Sequence, residues 1–442
     1  MLGAFVRAFS TPDLRNKLLF TLFILTLFRV GAVVPAPGVD SAAIQQCLQM
    51  ATEEDTSGVY GLLNLFSGGA LFQLAIFALG IMPYITASII LNLLTVVIPR
   101  LEALKKEGQS GQARITQYTR YLTIALALLQ ASSMVAMART GQLFQDACPP
   151  ESYLPFLGTS TEWLSMVTIV AVMTGGTAII MWFGELITER GVGNGMSLLI
   201  FTQIIAVFPA ELGRIWSEEG VWMFSIIVAA GLVLITGVVF VEQAQRRIPV
   251  QYAKRMVGRR MYGGSSTYIP LKVNQAGVIP VIFASSLLFL PQMVIGLMGQ
   301  DPDSRVVQIL STYFDPTGTH PVYMATFFLL IVGFAFFYVA ITFNPTDVAD
   351  NMKKYGGFIP GIRPGRPTAE YLDYVLTRLT TPGSLYLGMI ALLPMLALGA
   401  SGASANFPFG GTSILIMVGV GLDTVKQIES HLQQRNYEGF LR

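Results

Sequence analysis

Apolar residues in this 442-residue chain run together in long blocks rather than alternating with polar ones. Blocks near 17–34, 72–98, 118–138, 163–187, 196–212, 221–242, 274–298, 321–343, 380–400 and 411–428 approach or exceed the roughly 18–20 residues that cross about 30 Å of hydrocarbon at 1.5 Å per residue. Ten transmembrane helices, spans 1–10, are expected. Span 10 is the weakest, because Asp423 falls near its end; a charge costs about 2.5–3.5 kcal/mol at the bilayer centre and much less near an interface. Span 1 has a second reading as the apolar core of a signal peptide, against which stand its length, Arg29 and the poor cleavage site "VVPAPG". Inside a span, Arg29 faces protein or snorkels. One stretch does not fit the pattern. "LLNLFSGGALFQL", from Leu62, is broken after one or two helical turns by Ser67, Gly68 and Gly69. A piece that short stays at membrane depth only inside protein or a watery cavity. The residues leave two readings of 60–70: a re-entrant half-helix, or a kinked start to span 2.

Composition narrows the class. Hydrophobic residues make up 53% of the chain and charged residues 12%, about half the charge of a soluble domain. The ten-residue alternations of a β-barrel do not appear. The few charges are ordered. Lys and Arg concentrate before span 1 (Arg7, Arg15, Lys17), between spans 2 and 3 (Arg100, Lys105, Lys106, Arg114, Arg120), in the 4–5 turn (Arg190), in the 6–7 and 8–9 loops, and at the end of span 10 and beyond it (Lys426, Arg435, Arg442). The intervening loops hold only Arg139, Arg214 and Arg305 among many acids. The positive-inside rule then puts both termini in the cytoplasm. Ten spans divide into five and five, and an odd number per half forces the second half to start on the opposite side, so halves of shared fold form an inverted repeat. The seam falls in the acidic 5–6 loop near 213–220, giving halves 1–212 and 213–442.

Other chemistry is sparse. Phosphate-loop, H-E-x-x-H and G-x-S-x-G motifs are absent from the sequence, so neither an enzymatic activity nor a cofactor is expected. Cys47 and Cys148 both fall in expected outer loops; two free thiols are the first reading and a disulfide the alternative. With His320 and His431 they make no zinc pattern. Few acids lie deep in spans, which disfavours an ion relay; Glu185 and Glu242 sit near cytoplasmic ends, where an interface location accounts for them. The loops at about 243–273 and 344–372 are long and basic, with Arg246, Arg247, Lys254, Arg255, Arg259 and Arg260 in the first and Lys353, Lys354, Arg363 and Arg366 in the second. They read either as positive-inside loops touching anionic lipid or as a docking surface for a large acidic partner.

Several stretches together carry a family resemblance: "FRVGAVVPAPGVD" (28–40), "LGIMPYITASIILNLLTVVIP" (79–99), "KKEGQSGQARITQYTRYLT" (105–123), "ITERGVGNGMS" (187–197), "QRRIPVQYAKRMVGRRMYGGSSTYIPLKVNQAGVIPVIFASS" (245–286), "FNPTDVADNMKKYGGFIPGIRPGRPTAEYL" (343–372) and "FGGTSILI" (409–416). In this order they resemble the SecY family, the central subunits of the bacterial protein-translocation channel. The resemblance implies an all-α polytopic membrane protein of ten transmembrane helices in two inverted-repeat halves of five. The broken piece becomes a plug, with Leu62, Leu63, Asn64, Leu65, Phe66, Ser67, Gly68 and Gly69. A pore ring falls on Ile81, Ile85, Ile200, Ile204, Ile282 and Ile416; the i,i+4 spacing of two of these pairs independently puts each pair on one helix face. A lateral gate between spans 2–3 and 7–8 falls on Asn92, Gln130, Ser285 and Ser286, where interhelical hydrogen bonds of about 0.6–2 kcal/mol hold weakly enough to be displaced. Implied partners are SecE, SecG, the SecA ATPase, the ribosome through its RNA, signal sequences, nascent polypeptides and membrane lipid, in the bacterial plasma membrane. A secondary transporter, which also uses inverted repeats and broken helices, is the alternative; it would want a polar pocket at mid-membrane.

Overall fold

A computed structural model describes residues 11–53, 69–71, 73–141, 148–218, 220–252, 255–257, 260–262, 266–298, 305, 309–310, 313, 320–401 and 411–438. Among them are ten helices of 16 to 36 residues that fall on the expected spans: α1 (Pro12–Val33), α3 (Met82–Val97), α5 (Gln109–Thr140), α7 (Glu162–Arg190), α8 (Gly195–Glu218), α9 (Gly220–Gln243), α10 (Ile279–Met298), α11 (Pro321–Thr342), α13 (Arg366–Ser401) and α14 (Gly411–Glu438). Shorter helices are α2 (Ser41–Glu53), α4 (Pro99–Lys106), α6 (Pro150–Tyr153) and α12 (Pro345–Lys354). Among the described residues, six helices pass as membrane spans on length and composition alone; α3 with α4, bent by 100°, makes a seventh. The bend sits at Pro99, whose missing N–H ends α3 after Ile98 adopts an extended conformation.

Apolar side chains gather into several cores. One is drawn from residues 36–173 and includes Ile44, Leu74, Met134, Tyr153 and Ile169. A second, including Ile227, Val238, Val281, Phe327, Leu387 and Leu415, comes almost wholly from residues beyond 212. A third takes residues from Ile24 to Val420. Apolar side chains also stand on the outside: Phe23, Val30, Val233, Phe240, Leu329 and Met389 are exposed, surface that lipid or another apolar partner covers at low cost. Trp163, Trp216 and Trp222 stand exposed where α7 starts, α8 ends and α9 starts, the interfacial setting that indole rings prefer.

The 6–7 loop contains strands rather than a featureless loop. β1 (Gln245–Tyr252) pairs antiparallel with β4 (Ser266–Lys272), and β5 (Gly357–Phe358), from the 8–9 loop, adds to the other edge of β1. β2 (Arg255–Val257) and β3 (Arg260–Tyr262) form a hairpin of their own. Ile248, Val250 and Leu271 from the sheet pack with Met352, Ile359, Leu372 and Val375. This explains the length of α13: 36 residues reach about 54 Å, so one end projects beyond the bilayer as a stem for the sheet. β1, β4 and β5 mark one end of the molecule, the sheet side.

Four expectations need correction. Span 2 starts at Met82, not 72: residues 73–81 form consecutive turns instead of helix. Leu74 has φ 44° and Gly80 φ 56°, neither compatible with a right-handed helix. This stretch is held by Ala36 N–H to Leu74 O (3.0 Å) and Ile76 N–H to Val34 O (2.9 Å). Its Ile76 carbonyl lies against Gly176, where any side chain would collide. Span 7 likewise starts at Ile279 rather than 274, after an irregular stretch in which Gly277 has φ 63°. The 5–6 connection is helical to Glu218 and restarts at Gly220, whose φ of 76° makes the break. Finally, Cys47 and Cys148 are not free thiols but a disulfide, with Cα atoms 5.7 Å apart; packing of α2 on α6 brings the two together.

Candidate functional site

The third core gathers the isoleucines singled out from the sequence. Ile81, Ile200, Ile204, Ile282 and Ile416 are buried in it, and Ile85 packs against it partly exposed. Each arrives by a different route. Ile81 caps α3, its carbonyl accepting the Ile85 N–H at 3.2 Å. Ile200 and Ile204 lie one turn apart on α8, Ile282 stands in the first turn of α10, and Ile416 lies near the start of α14. Phe77 backs the cluster, stacked on Phe28 (5.9 Å) and edge-on to Phe183 (6.3 Å). Residues from spans 2, 5, 7 and 10 thus close one apolar knot. Polar atoms border it without partners: Gln203, Ser286 and Ser413 are buried, and their side-chain N and O atoms make no hydrogen bond. Each such orphan costs about 1–3 kcal/mol. Sequence reasoning missed Gln203 and Ser413; a polar residue next to or one turn from a ring isoleucine was the available signal.

Two cavities open toward the sheet side. The first, about 500 Å³, is walled by Ile85, Ile200, Ile282 and Phe283 and by Asn92, Arg120, Glu185 and Tyr338. Arg120 donates to both Glu185 oxygens, Nε at 2.8 Å and Nη2 at 2.7 Å, and to Gln117 at 2.9 Å. The pair locks α5 to α7, although its partial exposure lets solvent screen it. The second cavity, about 510 Å³, is lined by Glu242, Lys272, Asn274, Asp423 and Lys426. Here Asn274 donates to Glu242 at 2.6 Å and to the Gly277 carbonyl at 3.1 Å. Lys272 pairs with Asp423 at 3.5 Å, which accounts for the acid at the end of span 10. Glu242 is only 7% exposed. Both acids credited to an interface location therefore have specific partners.

The four lateral-gate residues are less unified. α10 packs against α3, α5 and α11, so the seam exists. Asn92 is exposed and lines the first cavity. Gln130 is buried, Ser285 donates within its own helix to the Ile282 carbonyl (3.0 Å), and Ser286 is buried without a partner. Among the described residues no hydrogen bond joins these four across helices. Of the plug residues, Leu62, Leu63, Asn64, Leu65, Phe66, Ser67 and Gly68 lie outside the described residues; Gly69 is described, with φ 86°.

The basic loops meet through the sheet. Arg246 and Arg247 are exposed on β1, with Arg247 4.8 Å from the Tyr268 ring centre. Arg255 and Arg260 start β2 and β3, while Lys254 and Arg259 lie outside the described residues. Lys353 and Lys354 end α12, exposed. Arg363 is exposed on a turn pinned by the Thr368 hydroxyl to its carbonyl (2.9 Å), and Arg366 pairs with Glu370 at 2.9 Å. Through the pairing of β5 with β1, both loops contribute to one sheet.

Long apolar helices, an apolar exterior and a central apolar cluster beside polar cavities define a multi-pass membrane protein. Residues 75–425 match the SecY family model. The chain is 64% identical to the protein translocase subunit SecY of Streptomyces galbus and 60% identical to that of Mycobacterium tuberculosis, each over the full length of both chains. It belongs to the SecY family. Its fold resembles a solved protein-conducting channel (TM-score 0.62, 20% identity, 94% of this chain and 91% of that one). It also resembles Sec61 in a canine ribosome–channel complex (TM-score 0.58, 18% identity, 94% and 91%). These likenesses are to translocation channels, and the secondary-transporter alternative is set aside.

Proposed function

We propose that the chain is the pore subunit through which unfolded polypeptides cross the bacterial plasma membrane and from which apolar segments leave sideways into lipid. The observation that carries this reading is the convergence of six isoleucines from both halves of the chain on one knot beside a polar cavity. A dehydrated ring of branched apolar side chains blocks ions, and it yields around a passing chain because its contacts are non-directional. The sheet side is cytoplasmic, since Lys and Arg concentrate there, and both termini lie on it. The opposite face carries the disulfide, as an oxidising compartment permits. Residues 1–212 and 213–442 act as two inverted halves, with residues 62–69 as a plug and the seam of α10 with α3 and α5 as the lateral gate. The basic sheet surface docks SecA or ribosomal RNA, for which exposed guanidinium groups supply bidentate phosphate and carboxylate contacts. ATP hydrolysis or chain elongation by those partners supplies the work, while SecE and SecG complete the channel.

The test is site-specific crosslinking of a stalled secretory chain to probes at Ile85 and Ile282. Crosslinks at both positions are expected. A chain that reaches probes on the basic loops but neither isoleucine would leave docking intact and remove the ring assignment.

A further inference from the structure

Cys47 and Cys148 are the chain's only cysteines, and they are joined across a sequence separation of 101 residues. That interval contains α3 and α5, two consecutive membrane-crossing helices. The thiols therefore share a face only after both helices have been laid across the bilayer. In the finished structure the sulfurs are buried among Ile44, Met134, Tyr153 and Leu154. A thiol so enclosed is out of reach of an oxidant and reacts slowly. The interval for oxidation is thus narrow: after insertion of α3 and α5, before α2 and α6 close over the sulfurs.

We propose that Cys47 and Cys148 form a modification site for a thiol–disulfide oxidoreductase acting on the face opposite the sheet, which installs the bond as the chain completes insertion. A thiolate of one cysteine attacks the donor enzyme's disulfide, giving a mixed disulfide and one donor thiolate. The second cysteine's thiolate attacks the chain-side sulfur of that mixed disulfide, forming the Cys47–Cys148 bond and releasing the donor as a dithiol. The chain gives up two protons and two electrons, and the donor's disulfide takes up both. Once made, the bond fastens the segment before residue 54 to the connection between α5 and α7. The site rests on the topology proposed above, in which this face is extracytoplasmic.

The experiment uses the full chain in its native membrane. Membranes are denatured and treated with a polyethylene-glycol maleimide, with and without prior reduction. No adduct is expected before reduction and two after it, whereas Cys47→Ser and Cys148→Ser chains each take one adduct unreduced. Co-expressed donor oxidoreductase with its resolving cysteine changed to serine should be trapped on the wild-type chain in a reducible adduct, and not on the double serine variant. Two adducts on the unreduced wild type would overturn the site. Full oxidation in cells lacking the donor would overturn the enzymatic step. Topology fails separately: Ser266→Cys in the double serine background should resist an impermeant maleimide added to intact cells, and labelling there would refute the assignment of faces.

Discussion

The isoleucine knot and the Glu242–Asn274 cluster lie on the same stretch of chain and are built on opposite principles. Ile282 stands eight residues beyond Asn274 and joins a cluster with no directional contact. Asn274 is pinned by two hydrogen bonds, one to a buried carboxyl group. Area-dependent contacts tolerate sliding, whereas a short hydrogen bond to an acid does not. The approach to span 7 therefore has a fixed root and a compliant tip. The root is continuous with the sheet: β4 ends at Lys272, two residues before Asn274, and Lys272 pairs with Asp423 on α14. A partner that presses on the sheet is expected to displace β4, Asn274 and the start of α10 together.

Breaking the root should have the largest effect. Asn274→Ala strands the Glu242 carboxyl group, and about 2–3 kcal/mol of stability should be lost, read as a lower midpoint in thermal unfolding of the purified protein. Partner binding to the sheet should persist while translocation falls; equal losses in both would deny the coupling. Altering the tip should cost less. Ile282→Val should cost about 0.5–1.5 kcal/mol with little change in export, but Ile85→Asn with Ile282→Asn should loosen the closed state. Export of substrates with defective signal sequences reports that loosening, and unchanged export would argue against the ring. The smallest effect belongs to a pair in neither region. Lys106 donates to Glu102 at 2.6 Å and holds that carboxyl below its usual range. Its contribution is present above the unfolded-state pKa and is lost as the pH falls through the lowered folded-state value. Glu102→Gln should flatten that acid-side slope in a melting series while leaving the neutral-pH midpoint nearly unchanged.

The ten helices could be read from block length because lipid forces a spanning segment to satisfy its backbone internally. The same signal misled at residues 73–81, where an apolar run is buried as turns: hydrophobicity reports burial, not conformation, and protein can shelter an irregular backbone. The β1–β4 hairpin was marked in the sequence, since Ile248 and Val250 alternate with Arg247, Pro249 and Gln251 and are the buried members. That period-two pattern was hidden by the loop's basic charge. Positions of the ring isoleucines came from motif likeness, and the i,i+4 pairs could be checked by spacing. Their meeting could not, because it joins helices more than 300 residues apart. Nor could the Cys47–Cys148 and Glu242–Asn274 pairings be found by spacing, as each closes over intervening structure.

The disulfide has an entropic consequence. It closes a covalent ring whose chain passes through α3 and α5 and joins α2 to the segment just before α6. Reduction therefore frees a loop of 101 residues whose ends the bond had held together, and the entropy so regained counts against the folded state.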